Sequence, residues 1–143
     1  MIEYCPFTVA DIPAALALWT GMPGITLREA DTPEMLARYL RRNPGMSILA
    51  LDGPRLIGTS LAGHDGRRGY LHHVAVHPDY RRRGIGRTLV EKCLAALLDD
   101  GILKCHLFVN TDNVEGKTFW KVLGWSERPG INLMSVTREG DTI

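Results

Sequence analysis

The most informative stretch of this chain spans residues 74–87 and reads Val74-Ala75-Val76-His77-Pro78-Asp79-Tyr80-Arg81-Arg82-Arg83-Gly84-Ile85-Gly86-Arg87. An apolar strand leads into a turn rich in arginine and glycine, and the turn opens directly into a long predicted helix. The first turn of a helix carries N–H groups without intrahelical acceptors, and the helix dipole adds partial positive charge there. Glycine lets a ligand approach the backbone, and arginine adds charge-assisted hydrogen bonds. The stretch therefore predicts a binding site for a compact polyanion.

Outside this turn the composition is that of an ordinary globular chain. The 143 residues are 45% hydrophobic and 23% charged, which predicts one domain spanning residues 1–143. The net charge is +1 and would be −3 without the four arginines of the turn, so the positive charge is local. No apolar run approaches the roughly 20 residues of a membrane helix, and the N-terminus lacks a secretion signal pattern. With an odd number of cysteines, we expect a cytoplasmic protein without a membrane or nucleic-acid partner.

The remaining pattern predicts a mixed α/β sandwich whose first half is antiparallel. The predicted strands are Ile2–Thr8, Met46–Leu51, Leu56–Gly63, Gly69–Val76, Leu103–Val109, Trp125–Glu127 and Asn132–Val136. The predicted helices are Ile12–Trp19 with Asp11 as its cap, one opened by Thr32 and running to Arg42, one from Gly84 to about Asp100, and Asn113–Leu123.

Several other interpretations of the basic turn can be weighed on its sequence. It lacks both the G-x-x-x-x-G-K-S/T and the G-x-G-x-x-G patterns of nucleotide-binding loops. A nucleic-acid surface would need a second basic cluster or interleaved aromatic residues. A solvated arginine run that merely caps a helix remains as the simplest alternative.

Two motifs resemble the GNAT superfamily of N-acetyltransferases. Arg81-x-x-Gly84-x-Gly86 matches the Q/R-x-x-G-x-G/A pyrophosphate loop of that family, and residues 113–125 resemble its N-x-x-A-x-x-F/L-Y-x-x-x-G-F/Y segment. The first strand, first helix and hairpin follow in the family's order, so the resemblance covers nearly the whole chain. It implies the GNAT acyl-CoA N-acyltransferase fold, a mixed central sheet with two splayed parallel strands and helices on both faces.

The resemblance also implies acetyl-CoA as co-substrate, lying between the splayed strands Gly69–Val76 and Leu103–Val109. Backbone groups of the first strand would pair with the pantetheine arm, and N–H groups of the turn would hold the pyrophosphate. Asn113 would contact the cofactor arm or serve only as the N-cap of its own helix. The implied cofactor-binding residues are Val74, Ala75, Val76, Arg81, Arg82, Arg83, Gly84, Ile85, Gly86, Arg87, Thr88, Asn113 and Trp120.

Acetyl transfer needs a base, because an amine with a pKa of about 10 is mostly protonated at neutral pH. His72 and His73 are the candidates, since imidazole titrates near neutrality. Strand alternation predicts that they face opposite sides of the sheet, so only one would enter the cleft. His72 shares its parity with Val74 and Val76 and stands where related enzymes often carry a Glu or His base. His73, or water beside two packing histidines, remains as the alternative.

Trp120 departs from the family pattern, which usually has a tyrosine that can protonate the leaving thiolate. An indole N–H donates a hydrogen bond but has no proton to give up. A thiol with a pKa of about 8.5 can leave as a thiolate near neutral pH, so the loss of an acid is tolerable. Trp120 is alternatively a packing residue, and its presence keeps open a non-catalytic acyl-CoA-binding sensor.

The expected reaction is transfer of an acetyl group to a primary amine of a small molecule, such as an amino acid, a polyamine or an aminoglycoside, or of a peptide N-terminus. Residues 113–125 also resemble the ribosomal-protein N-terminal acetyltransferases. Glu29 and Asp31, between the first two helices, are free acids that would receive a cationic amine or merely solvate the loop. Similar proteins are often homodimers.

Other residues with possible chemistry are assigned to structure. Cys93 and Cys105 occupy apolar positions of a helix and a strand, which predicts core packing rather than nucleophilic catalysis. His64, Asp65 and His77 have no known metal-ligand spacing, so we expect no metal.

Overall fold

The computed structural model describes residues 1–139 of the chain. They fall into two compact units, one spanning Met1–Thr111 and the other beginning at Asp112. The strands of the first unit are β1 (Ile2–Pro6), β2 (Ile48–Asp52), β3 (Arg55–His64), β4 (Gly69–Val76) and β5 (Cys105–His106). The helices are α1 (Ile12–Trp19), α2 (Pro33–Arg42), α3 (Ile85–Asp99) and, in the second unit, α4 (Val114–Val122).

The five strands of the first unit form one mixed sheet in the order β1-β2-β3-β4-β5. The first four are antiparallel neighbours, whereas β4 and β5 are parallel. That parallel pairing covers only Gly69 with Cys105 and Tyr70 with His106. Beyond Tyr70, none of residues 1–139 forms a strand beside this edge of β4, which confirms the predicted mixed sheet with two splayed parallel strands.

Helices cover both faces of this sheet, as adjacent residues of β3 show. A Cβ added to Gly58 would lie 3.1 Å from a methyl carbon of Leu89 in α3. The next side chain, Thr59, instead accepts a hydrogen bond from Trp19 of α1. The face of α1 and α2 holds the main apolar core, whose members include Phe7, Ile12, Ala15, Trp19, Leu36, Leu40, Leu49 and Leu61.

Local sequence explains where α2 begins and ends. The Thr32 hydroxyl accepts the Met35 N–H at 3.2 Å, and Pro33 occupies the first helical position, where its missing N–H costs nothing. The helix ends at Asn43, which Pro44 follows. The predicted span is confirmed. Asp11, by contrast, does not cap α1 with its side chain; its carboxylate accepts the Thr8 N–H and hydroxyl at 2.8 and 2.9 Å.

Several predicted strands are wrong in extent or existence. The strand predicted over Leu103–Val109 is reduced to the two residues of β5, because only there does it lie beside β4. Residues 125–127 and 132–136 adopt no strand, and exposed apolar side chains such as Leu133 and Met134 show that no sheet covers them. The first strand ends at Pro6 rather than Thr8. Of the helices in residues 1–139, none combines the length and apolarity needed to cross a bilayer.

Candidate functional site

An irregularity in β4 gives the site its geometry. His73 has a φ of +48°, in the left-handed region that residues other than glycine rarely adopt. The register with β3 passes from Leu61 opposite His72 to Thr59 opposite Ala75, so two residues of β4 face one of β3. This is a β-bulge, which shifts the alternation of side chains along the strand.

The bulge overturns the prediction that the two histidines face opposite sides of the sheet. The His72 ring lies 6.3 Å from that of Tyr39 in α2, and the His73 ring lies 4.7 Å from that of Trp19 in α1. Both therefore point to the face covered by α1 and α2. Because the extra residue resets the parity, His72 no longer shares its face with Val74, and the alternation argument for choosing between the two histidines fails.

His73 is held in place by a hydrogen-bonded network. Its Nε2 lies 2.8 Å from Oδ1 of Asp31, in the 3₁₀ turn Glu29–Asp31, and its carbonyl accepts the Thr59 hydroxyl at 2.8 Å. The Thr59 oxygen in turn accepts the Trp19 indole N–H at 2.8 Å. His73 Nε2 is thus committed to Asp31.

Asp31 is therefore not the free acid that the sequence predicted. Its second carboxylate oxygen accepts the Arg28 N–H at 3.0 Å. Burial raises the pKa of Asp31, but the hydrogen bonds from His73 and Arg28 outweigh that effect and leave the pKa below its ordinary value. The carboxylate is thus ionised and employed in holding β4, whereas Glu29 is exposed to solvent.

His72 has a different environment, in which no side chain of residues 1–139 forms a hydrogen bond with it. Burial, with the charge of His73 adding to it and Asp31 opposing it, lowers the pKa of His72 below 6.5. Its ring is therefore neutral at pH 7 and carries a lone pair. It lies 6.3 Å from the ring of Tyr70 and 6.4 Å from that of Phe108, with interplanar angles of 8° and 24°.

His72 also lines a cavity of about 230 Å³ between the end of α2 and the sheet, here called the α2 cleft. Phe108 follows β5 just after the strand has left β4, so His72 lies between the cleft and the gap in the sheet. The residues around the cleft come from α2, β3, the turn after it and β4, and are Tyr39, Arg42, Asn43, Gly63, His64, Asp65, Tyr70 and His72.

The open edge of β4 is where the sequence predicted a paired cofactor arm. The His77 N–H donates to the Ile57 carbonyl of β3 at 2.8 Å. Because successive residues of a strand direct their backbone groups to opposite sides, the N–H and C=O of Val76 point away from β3, and so do those of Val74. Ala75 lies opposite Thr59 and directs its groups to β3, so it does not belong to this edge.

The basic turn has the backbone conformation of an anion site. Arg82 and Gly84 both have positive φ, +64° and +76°, and Gly84 is the N-cap of α3. The first intrahelical bond runs from the Thr88 N–H to the Gly84 carbonyl at 3.1 Å. The three preceding N–H groups, of Ile85, Gly86 and Arg87, therefore have no intrahelical acceptor and are directed out of the helix end.

Some arginine side chains of the turn hydrogen-bond to backbone carbonyls, whereas others are exposed to solvent. Arg81 Nε donates to the Val76 carbonyl at 3.2 Å, and Arg83 donates to the Asp79 carbonyl while lying 5.1 Å from the centre of the Tyr80 ring. Arg87 lies 3.5 Å from Glu91, and Arg82 is exposed. The Thr88 hydroxyl, which was predicted to contact the cofactor, already donates a hydrogen bond to the Gly84 carbonyl at 3.0 Å.

Two predicted residues lie in the second unit. Asn113 is the N-cap of α4, its side-chain oxygen accepting the Gly116 N–H at 2.9 Å. The Trp120 ring packs edge-on against Phe119 and Trp125, with ring centres 4.9 and 5.1 Å away. Both contacts agree with the structural roles considered for these residues, and a role toward the cofactor stays a prediction.

The cysteines and the remaining histidines serve the fold. Burial raises the pKa of Cys93 and of Cys105 to about 11, so neither is an activated nucleophile. His64 lies 2.6 Å from Asp100, and His77 lies 3.1 Å from Arg55.

Sequence reasoning missed the aromatic residues around His72. Tyr39, Tyr70 and Phe108 lie on α2, on β4 and after β5, and no spacing in the sequence connects them. Only the expectation that β4 and the segment after β5 flank one gap could have drawn attention to them.

Both the sequence and the fold are similar to those of known proteins. A family model described as the acetyltransferase (GNAT) family matches residues 13–125. An acetyltransferase of Sodalis glossinidius is 34% identical over 134 residues, 93% of each chain, and one of Pectobacterium atrosepticum is 34% identical over 108 residues, 75% of each. The fold is similar to the crystal structure of the PaiA N-acetyltransferase of Thermoplasma acidophilum in complex with coenzyme A, with a TM-score of 0.76, 22% identity and coverage of 88% and 90% of the two chains.

Proposed function

Because this chain belongs to the acetyltransferase (GNAT) family, we propose that it transfers an acetyl group from acetyl-CoA to a primary amine of a small molecule or a peptide N-terminus. The observation that carries the proposal is the placement of His72 between the gap in the sheet and the α2 cleft. His72 lines a cavity that can admit an amine, and its ring lies 6.4 Å from that of Phe108, which follows β5 where the sheet opens.

The residues present fit a coenzyme A group. The N–H groups of Ile85 and Gly86 at the start of α3 suit a pyrophosphate, and the exposed Arg82 suits a further phosphate. The backbone groups of Val74 and Val76 on the open edge of β4 suit the amides of the pantetheine arm, which would pair as a short strand, with the Val76 carbonyl shared with Arg81 Nε. Bound acetyl-CoA would supply the activated acetyl group.

In the proposed mechanism, the acceptor amine reaches His72 through the α2 cleft as a neutral or readily deprotonated amine. Its nitrogen bonds to the carbonyl carbon of the thioester, the C–S bond breaks, and the electron pair leaves with the sulfur as a thiolate. His72, neutral at pH 7, takes the proton from the nitrogen. A backbone N–H on the open edge of β4 stabilises the negative charge on the carbonyl oxygen.

His72 is preferred to His73 as the base because of their hydrogen bonds. His73 Nε2 is held by Asp31 at 2.8 Å, while His72 lines the cleft. The same observation favours an enzyme over an acyl-CoA-binding sensor, since a sensor has no use for a neutral imidazole at this point. We also propose that the protein acts in the cytoplasm, a reducing compartment that suits its three single thiols.

The proposal is tested by calorimetric binding of acetyl-CoA, coenzyme A and ATP to the unmodified protein, followed by thiol release with amines. Both coenzyme A forms should bind well above ATP, and thiol release should depend on an added amine. His72→Ala should lower turnover by about 10²- to 10⁴-fold while acetyl-CoA affinity stays within a few-fold. Normal turnover in this variant would exclude His72 as the base, and binding without turnover of any amine would favour the sensor.

A further inference from the structure

Several residues that line the α2 cleft carry rings, among them Tyr39, Tyr70 and His72, which bears on the acceptor's shape. Tyr70 and His72 form a panel of nearly parallel rings with Phe108, which lies beside the cleft without lining it; the ring centres are 6.2 to 6.4 Å apart and the interplanar angles are 8° to 24°. The Tyr39 ring stands at 74° to that of His72 and closes one side. A flat apolar group gains most from such a surface, because stacked and edge-on ring pairs are favourable beyond the area they bury.

The cleft is a small depression that is open to solvent. Its volume is about 230 Å³, below the roughly 300–1,000 Å³ of pockets that enclose drug-sized ligands. One aromatic ring with short substituents is comparable in size to that space.

The charge at the mouth of the cleft points to an anionic group on the acceptor. Arg42, at the end of α2, lines the cleft, and none of the ion pairs within residues 1–139 involves it. Asp65 lines the cleft as well, but its carboxylate accepts the N–H groups of Arg67 and Arg68. Those hydrogen bonds lower the pKa of Asp65, so its carboxylate is ionised and adds negative charge to the cleft. His64 is committed to Asp100. The guanidinium of Arg42 is the positive charge of the cleft that has no ion-pair partner within residues 1–139.

Building on the proposed function, we infer that the acceptor is an aromatic amino carboxylate: a primary amine and a carboxylate carried by a single aromatic ring system, the class that includes the aromatic amino acids. The ring lies against Tyr39 and Tyr70, the amine reaches His72, and the carboxylate pairs with Arg42. Arg42 is a binding residue in this assignment and takes no part in the proton transfer.

The test compares amines that differ only in the carboxylate, using thiol release from acetyl-CoA. The first pair is phenylalanine and phenethylamine, and the second is 4-(aminomethyl)benzoate and benzylamine; putrescine serves as the polyamine. In at least one pair, the carboxylate form should have a kcat/KM about tenfold higher, the size expected of a charge-assisted pair reduced by exposure. Equal values in both pairs, or a higher value for putrescine than for all four, would overturn the inference.

One variant and a matched control test whether Arg42 causes the preference for the carboxylate. Arg42→Ala should remove the difference within the preferred pair by raising KM, with little change for the amine that lacks the carboxylate. Arg41→Ala, which removes the neighbouring arginine of α2 outside the cleft, should leave the difference intact. A difference that survives in Arg42→Ala would contradict the assignment.

Acetyl-CoA binding distinguishes a wrong acceptor class from a wrong proposed function. If acetyl-CoA binds but none of these aromatic amines is turned over, the acceptor class is wrong and the cofactor site stands. If acetyl-CoA does not bind, the proposed function falls first, and the acceptor class falls with it.

Discussion

The two adjacent histidines of β4 show how strongly a side chain's role depends on what holds it. His73 is fixed by Asp31 and packed on Trp19, whereas His72 stands among rings that offer it no carboxylate. Burial and the charge of His73 therefore lower the pKa of His72, and no hydrogen bond within residues 1–139 opposes this effect. The consequence is a ring that stays neutral at physiological pH.

This environment predicts how the rate and the stability depend on pH. Because the pKa of His72 lies below 6.5 in the folded state, turnover should be constant near neutrality and fall as the pH drops through that lowered value. The unfolded chain binds the proton more readily, so the free energy of unfolding should also fall as the pH drops from 6.5 toward the folded pKa. Rate profiles and urea unfolding at several pH values measure both effects. His72→Gln should remove this contribution to each, and an unaltered profile in that variant would assign the ionisation to another group.

A second prediction at this scale concerns the close approach at Gly63. A Cβ there would lie 2.6 Å from the Tyr39 hydroxyl oxygen and 2.7 Å from Cγ of Asn43, both of which line the cleft. Gly63→Ala should therefore lower the free energy of unfolding by about 1–3 kcal/mol, as overpacking does. Adding Tyr39→Phe removes the nearest atom and should restore part of the loss. Urea unfolding of the four proteins in this cycle measures the coupling, and additive losses would show that the contact is not the cause.

At the level of elements, the structure connects two regions that lie far apart in the sequence. The loop between α1 and α2 is attached to the bulge of β4 through Asp31 and His73, 42 residues apart. That attachment accounts for the positive φ of His73, a conformation that costs roughly 1–2 kcal/mol in isolation. The loop therefore takes part in setting the position of the neighbouring His72.

Breaking this attachment should lower turnover without weakening cofactor binding. Asp31→Asn retains the shape of the side chain but loses its charge, so the bulge should relax, kcat should fall and acetyl-CoA affinity should hold. The free energy of unfolding at neutral pH should drop by about 1–3 kcal/mol. In the unmodified protein the contribution of Asp31 is present above its ordinary pKa and lost as the pH falls below it. Glu29→Gln, an exposed change in the same 3₁₀ turn, is the control and should leave all these values unchanged.

The start of α3 allows strain and ligand contact to be separated. Gly84 has a φ of +76°, so Gly84→Val introduces backbone strain whether or not a ligand approaches. Gly84→Asn is the better probe, because asparagine tolerates the left-handed conformation and still places a side chain at the helix end. We expect near-normal unfolding but at least tenfold weaker acetyl-CoA binding in Gly84→Asn, measured by calorimetry. Full affinity in that variant would remove Gly84 from the pyrophosphate site.

At the scale of the whole molecule, a nearly neutral chain carries a dense cluster of cationic side chains in one turn. The net charge is +1, and four of the seventeen lysines and arginines fall within residues 81–87. A polyanion that binds only the folded protein must stabilise it by linkage, by about 2.7 kcal/mol at a concentration of 100 times Kd. Acetyl-CoA should therefore raise Tm by several degrees, and the shift should shrink as salt is added at a fixed ligand concentration. A shift of equal size with ATP would show that the turn recognises phosphate charge alone.

Short-range sequence patterns predicted much of this architecture, whereas features that depend on pairing between distant residues were not predictable from them. The span of α2 and the bounds of β4 follow from caps, turns and apolar runs that lie within a few residues of each other. The shortness of β5 does not, because it depends on where two strands diverge in space. The basic turn was recognisable from adjacent residues, whereas the pairing of Asp31 with His73 joins positions that no local pattern relates. The bulge was not predictable for the same reason, since the extra residue is recognised only from the pairing of β4 with β3.

The single additional residue in β4 also has a consequence for how such a protein can diversify. Tyr70 and His72 precede it and line the α2 cleft, while Val74 and Val76 follow it along the open edge of β4. Under the proposed function, substitutions before the bulge would alter which amine is accepted, while the backbone groups after it would stay in place whatever the side chains become. One half of the strand could then vary while the other stays constant, and duplicated genes would acquire new acceptors through a few mutations that leave the proposed acetyl-CoA site intact.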